Sequence, residues 1–231
     1  MSDLRVAIVA EGKTDVIVIE AALKALLPRR FIPTALQPEP TRTKLGGWGG
    51  VLCWCLDFAK RGYSSFEDDV TLPGFDLFVV HVDADVAECA YTDLSGGIAN
   101  MATQNNWPAL PNNVPCPPPT GSADAMRTCL PSWAGVQSFG PRTVLCVPSK
   151  AIEAWLVAAA FEDGHAMLTN LECKLNLKGQ LAAMPLPQRI NKSEHQYRLH
   201  ATRITQNWAV VRQRCTQAER FSIEVAAAVP L

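Results

Sequence analysis

Val79-Val80-His81-Val82-Asp83-Ala84-Asp85 is an apolar run that ends in two acids one residue apart. Because side chains on a strand alternate between the two faces of a sheet, we expect Asp83 and Asp85 to point the same way. Two carboxylates that close together repel each other unless one takes a proton or a cation lies between them. Oxygen ligands of this kind suit Mg²⁺ or Mn²⁺. The alternative is a solvated strand end that enters a turn, where Asp is common.

The composition predicts a soluble globular protein, either one large domain or a core domain with an extension. Of the 231 residues, 48% are hydrophobic and 19% are charged, which excludes a largely disordered chain. The net charge of −1 provides no overall positive field. Any contact with nucleic acid would therefore depend on a local basic patch.

Membrane and secretion signals are missing from the sequence pattern. No apolar run reaches the roughly 18 residues of a membrane span, and the N-terminal Met1-Ser2-Asp3-Leu4-Arg5 is unlike a signal peptide. Eight cysteines occur without a CxxC pair. We therefore expect a cytoplasmic protein with reduced thiols, no structural zinc and no membrane contact.

The N-terminal part of the chain has the pattern of a strand, a turn and a helix. Leu4 to Ala10 is apolar at nearly every position, as in a strand covered on both faces. Glu11 and Gly12 follow, and apolar residues then recur at helical spacing until Pro28. This unit places an acid, Glu11, at the carboxyl end of its strand.

Further elements follow along the chain. Strands are predicted at Phe31–Gln37, Phe75–Asp83 and Arg142–Val147, and helices at about Val51–Arg61, Ala123–Val136 and Gln196–Cys215. A further helix is expected directly after Ser149, which can cap it, with a buried stripe that includes Ile152 and Ala159. Residues 91–121 show no period and are rich in Gly, Asn and Pro, so they form either an irregular surface insertion or a lid. We divide the chain into a core, 1–163, and a helical C-terminal extension packed on it, 164–231.

Strands that alternate with helices predict an α/β fold, with a parallel sheet and helices on both faces. Binding sites in such folds form at the carboxyl ends of the strands. Glu11, Asp83 and Asp85 should then share one edge of the sheet, which favours a cation site over a solvated turn. His81, two residues before Asp83, either supports such a site or is an ordinary buried histidine.

Two motifs together resemble the Toprim domain. They are Glu11-Gly12-x-x-Asp15 after the first strand and Asp83-x-Asp85 about 70 residues later, and the resemblance covers roughly residues 4 to 160. It implies a Toprim-like, Rossmann-like central parallel sheet.

A third motif narrows the resemblance. Pro148-Ser149-Lys150-x-Ile152-Glu153-x-Trp155-Leu156 looks like a segment of the small stand-alone prokaryotic Toprim-like proteins, which are related to OLD-type nucleases and phage-defence effectors. That family also tends to carry a later Lys and Tyr, which Lys192 and Tyr197 match.

The resemblance implies a role for each matching residue. Glu11 would be a general acid/base or a metal ligand, Asp83 and Asp85 would hold Mg²⁺ or Mn²⁺, and Asp15 would help to bind a second metal. Glu153 and Lys150 would supply a further ligand and neutralise charge at the scissile phosphate. Contacts to nucleic acid would come from Lys13, Lys192, Tyr197 and Arg198, although a basic helix face is often simply solvated.

The leading hypothesis is a Mg²⁺-dependent Toprim-type nuclease that acts as a toxic effector in phage defence. The alternative is a regulatory or effector subunit that binds metal or nucleotide and works only in complex with an ATPase. The expected partners are a nucleic-acid substrate, an ATPase encoded nearby and, in a homodimer, a second copy of the chain.

Overall fold

Four parallel strands form the central sheet in the computed structural model of the chain, which describes residues 2–38 and 45–229. The strands are β1 (Leu4–Val9), β2 (Phe31–Gln37), β3 (Leu77–His81) and β4 (Thr143–Cys146), in the order β2-β1-β3-β4. Every pairing in this sheet is parallel. The predicted α/β class and parallel sheet are therefore confirmed.

Helices cover both faces of the sheet. They are α1 (Lys13–Leu26), α2 (Gly47–Ala59), α3 (Gly96–Gln104), α4 (Thr120–Trp133), α5 (Glu153–Ala160), α6 (Leu177–Ala182), α7 (Glu194–Gln206), α8 (Trp208–Arg214) and α9 (Thr216–Ala228). Within the described residues, no helix is both long enough and apolar enough to cross a bilayer.

The alternation of side chains along each strand produces two separate core layers. Ile8 and Val79 point to one face, where they pack with α1 and with α5 to α9. Ala7 and Phe78 point to the other face, where α2 to α4 cover them. Both faces of β1 and β3 are buried, which explains why these strands are apolar at successive positions.

Three predictions differ from the structure. The helix expected directly after Ser149 begins only at Glu153, because Lys150 has a left-handed backbone (φ 59°). Residues 91–121 are not wholly irregular, because a 3₁₀ turn (Tyr91–Asp93) and α3 lie within them. The predicted helix at Gln196–Cys215 is broken at Asn207, whose side-chain amide donates a hydrogen bond to the Ala159 carbonyl, 3.0 Å away. Helices α8 and α9 share a core layer with α1 and α5, so residues beyond 164 take part in covering the sheet.

The expectation that all cysteines are reduced is wrong for one pair. Cys116 and Cys173 form a disulfide that joins the loop before α4 to the 3₁₀ turn Leu171–Cys173. The two residues are 57 positions apart in sequence. Local spacing carries no signal for such a pairing, because the fold alone brings the two segments together.

Candidate functional site

Glu11 and Asp83 meet at the carboxyl edge of the sheet, as expected from their places after β1 and β3. The two strands are neighbours, and the backbone N–H of Asp83 donates to Glu11 Oε1 at 2.8 Å. Gly12, next to Glu11, leaves room for the side chain of Asp15, since a Cβ at position 12 would lie 3.1 Å from Asp15 Oδ2. The first and second motifs are thus in direct contact.

Asp83 and Asp85 do not share a strand face, so that expectation is wrong. Strand β3 ends at His81, and Asp83 caps a 3₁₀ helix (Ala84–Glu88) that contains Asp85. The cause is a change in the hydrogen-bond partners of the backbone after His81. The N–H groups of Ala84 and Asp85 donate to the carbonyls of Pro148 and Lys150, at 3.1 Å each, instead of continuing a strand. Asp83 is consequently buried and Asp85 is exposed.

Asp83 is held by groups on two sides. Its Oδ1 accepts the backbone N–H of Ile152 at 2.8 Å, just before α5. The same oxygen lies 3.3 Å from Nε2 of His81, which is within ion-pair distance but not aligned as a hydrogen bond. His81 is fully buried, and neither ring nitrogen makes a hydrogen bond within the described residues.

The surrounding carboxylates keep His81 charged. Burial lowers the pKa of His81, but Asp83, Asp15 and Glu11 outweigh that effect and raise it to about 9. The imidazolium therefore balances part of the negative charge at this edge.

Asp15 and Glu153 form the other part of the site, each in the first turn of a helix. Glu153 Oε1 accepts the hydroxyl of Tyr197 at 2.8 Å and lies 3.0 Å from Lys192 Nζ. Asp15 Oδ1 accepts the hydroxyl of Thr14 at 3.3 Å and lies 3.7 Å from the same ammonium. Lys192 therefore bridges the two carboxylates.

The five acids together are called the acidic cluster, in two groups. The strand-end acids are Glu11, Asp83 and Asp85, and the helix-start acids are Asp15 and Glu153. Burial, followed by the charge of Asp83, raises the pKa of Glu11 to about 8. Burial also raises the pKa of Asp15, which His81 partly offsets. The pKa of Asp85 is raised for the same kind of reason, by desolvation and then by Asp83, although water screens the exposed residue.

The remaining predicted residues lie around the cluster. Lys150 is buried with a left-handed backbone (φ 59°), and its Nζ contacts Glu88 Oε1 at 2.6 Å. Lys13 and Arg198 are exposed and both approach Glu194, at 3.5 Å and 3.8 Å. Tyr197 is buried, so its hydroxyl reaches Glu153 and not the surface.

Two further acids, Glu88 and Glu194, were not predicted from the sequence. Glu88 pairs with Lys150, and Glu194 pairs with Lys13 and Arg198. Both belong to local segments with no distinguishing pattern. Only their distance from Lys150 or Lys13 in the folded chain identifies them.

The chemistry of the cluster fits a hard divalent cation, because every donor is a carboxylate oxygen. Within the described residues, no hydrogen bond or ion pair reaches the side chain of Asp85, and Glu11 and Asp83 each use one carboxylate oxygen. The same residues contain no group of three or more His, Cys, Asp or Glu arranged to hold a metal. The strand-end acids would therefore have to rotate toward one another to bind an ion.

Comparisons of this chain with protein-family models, with curated proteins and with solved structures found no match. The function proposed below accordingly depends on the geometry of the site and on the motifs.

Proposed function

We propose that the protein is a divalent-cation-dependent phosphodiesterase that cleaves nucleic acid, with a Toprim-like fold. The observation that carries this proposal is the contact between Glu11 and Asp83, which brings two motif acids from neighbouring parallel strands to one edge. Three further acids lie in the same cluster, and its donor set is that of Mg²⁺ or Mn²⁺ sites.

The strand-end acids are the residues that would hold the cation. A bound Mg²⁺ or Mn²⁺ would polarise a phosphate and stabilise negative charge on the leaving oxygen. Glu11 is also suited to hold or transfer a proton near neutral pH, because its pKa is about 8. His81 and the Ile152 N–H fix the orientation of Asp83.

Among the helix-start acids and their partners, Lys192 is the group that would face the substrate. Lys192 is the cation in contact with both of these acids, and its side chain is 36% exposed. Lys150 is less suited to neutralise a phosphate, since its side chain is 7% exposed and its ammonium pairs with Glu88. Lys192 therefore takes over the role first expected of Lys150.

The test is a cleavage assay with plasmid, single-stranded DNA and tRNA in Mg²⁺ and in Mn²⁺. We expect Glu11→Gln and Asp83→Asn to lower the rate by at least about a hundredfold. Asp3→Asn is the matched control, because Asp3 is an exposed acid outside the cluster. Cleavage that persists unchanged in both cluster variants would mean that this site is not responsible.

A second candidate function is an effector subunit that acts only in complex with an ATPase encoded nearby. The net charge of −1 favours this candidate, because a chain without excess positive charge gains little non-specific affinity for phosphates. A stable complex on size-exclusion chromatography, with cleavage seen only in that complex, would support it. Full cleavage by the isolated chain would exclude it.

A further inference from the structure

Lys192 occupies the position between the two helix-start acids. We infer that this chain binds a single divalent cation, at the strand-end acids, and that the ammonium of Lys192 takes the place of a second cation. This inference rests on the proposed function and names the metal stoichiometry of the same site. It also replaces the expectation that Asp15 helps to bind a second metal.

The helix-start acids already have the partners that a cation would otherwise supply. Glu153 and Asp15 are 1% and 2% exposed, and such buried carboxylates need a positive charge or hydrogen-bond donors. Glu153 has a hydroxyl and an ammonium on one oxygen, and Asp15 has the same two kinds of group. Lys192 supplies the positive charge to both.

The ammonium keeps its proton in this position. Burial lowers the pKa of Lys192, but the charges of Asp15 and Glu153 outweigh it and hold the pKa above its usual range. A divalent ion at the same place would be repelled by a charge only a few ångströms away. It would have to displace Lys192 first.

The strand-end acids are better placed to bind a divalent ion than the helix-start acids, because no ammonium group of the described residues forms an ion pair with them. Glu11 and Asp83 are oriented by backbone N–H groups, which carry no net charge and compete little with a metal. Asp85 is exposed, so an ion has a path from solvent. The positive charge next to them is His81, which lies behind Asp83 on the buried side.

Counting bound Mn²⁺ on the full chain tests the inference without any activity assay. We expect wild-type protein, freed of metal and titrated with Mn²⁺ alone, to bind one ion per chain by electron paramagnetic resonance. Lys192→Met should bind two, because the helix-start acids lose their cation. Lys192→Arg keeps the charge and should bind one, and Lys24→Met, an exposed lysine on α1, should also bind one.

Any other count of bound ions would overturn the inference, and one of them would also overturn the proposed metal site. Two ions in the wild type would overturn the inference and leave the proposed function standing, whereas none would overturn the proposed metal site as well. One ion in a folded Lys192→Met variant, checked by circular dichroism, would show that Lys192 does not replace a cation. If that variant does not fold, the counts for the wild type and Lys192→Arg still decide, since two ions in either would contradict the inference.

Discussion

At the scale of single residues, the acidic cluster depends on groups that are not acids. Tyr197 is buried and donates its hydroxyl to Glu153, and Lys192 contacts the same carboxylate. Burial, together with the charge of Glu153, raises the pKa of Tyr197 far above its usual value, so the hydroxyl stays a donor. Tyr197 is therefore a positioning residue rather than a nucleophile.

Tyr197→Phe should lower the free energy of unfolding by roughly 1.5–3 kcal/mol, the usual range for a hydrogen bond to a charged group. The reason is that the substitution removes one donor from buried Glu153 and adds no bulk. Urea unfolding followed by circular dichroism measures the change. Tyr63→Phe is the control, because Tyr63 is half-buried and lies away from the cluster. Equal stability of wild type and Tyr197→Phe would contradict this account of Glu153.

At the scale of elements, the connection between β4 and α5 fixes the loop that carries Asp83. This connection is called the 148–152 segment after its residues. Its carbonyls accept the N–H groups of residues 84 and 85, and its last N–H binds the Asp83 carboxylate. Ser149 Oγ lies 2.8 Å from the Pro119 carbonyl oxygen and 2.7 Å from that of Glu172. The Cys116–Cys173 disulfide joins the same two flanking regions.

Removing this disulfide should loosen the 148–152 segment. We expect Cys116→Ser/Cys173→Ser to lower the free energy of unfolding by roughly 2–4 kcal/mol, as for a cross-link that closes a loop of this length. Amide hydrogen exchange should quicken at Ala84, Asp85 and Ile152, because their N–H groups donate the hydrogen bonds that join residues 83–85 to the 148–152 segment. Cys89→Ser, a half-buried thiol outside the disulfide, is the control.

The prediction would be contradicted if the N–H groups of Ala84, Asp85 and Ile152 stayed as protected from exchange as in the wild type. In that case the disulfide would stabilise the chain without affecting the site.

At the scale of the whole molecule, a cavity of about 280 Å³ lies close to the cluster. It is lined by Arg189 and Arg203, by His165 and His200, and by one acid, Glu162. Each guanidinium makes one hydrogen bond, to a backbone carbonyl, and within the described residues neither pairs with a carboxylate. Since α5 runs from Glu153 to this cavity, the separation is about 10 Å along the helix.

Arg189→Ala/Arg203→Ala should weaken binding of single-stranded DNA about tenfold at low salt, because two phosphate contacts are lost. The slope of log K against log salt should fall by about 1–2. Fluorescence anisotropy in EDTA measures binding without cleavage. Arg29→Ala/Arg30→Ala removes the same charge near the amino end of β2 and should change binding little. Equal losses in both pairs would indicate a general charge effect and not a contact at the cavity.

The alternation of apolar residues and the turn signals between them predicted the α/β class and the parallel sheet. Both depend on local pattern, which is why β1, β3 and the acids that follow them could be placed in advance. A parallel sheet brings the carboxyl ends of neighbouring strands together, so the meeting of Glu11 and Asp83 followed from the sequence alone.

The tertiary structure decided everything that depends on long-range packing. Asp85 turned away from Asp83 because its N–H pairs with residue 150, and no local rule sets that pairing. Lys192 and Tyr197 reach Glu153 across about 40 residues of chain, and Cys116 reaches Cys173 across 57. The sequence by itself determined which strand ends carry acids. Which cations neutralise those acids was decided only when the helices packed, because a side-chain ion pair depends on the positions of both partners.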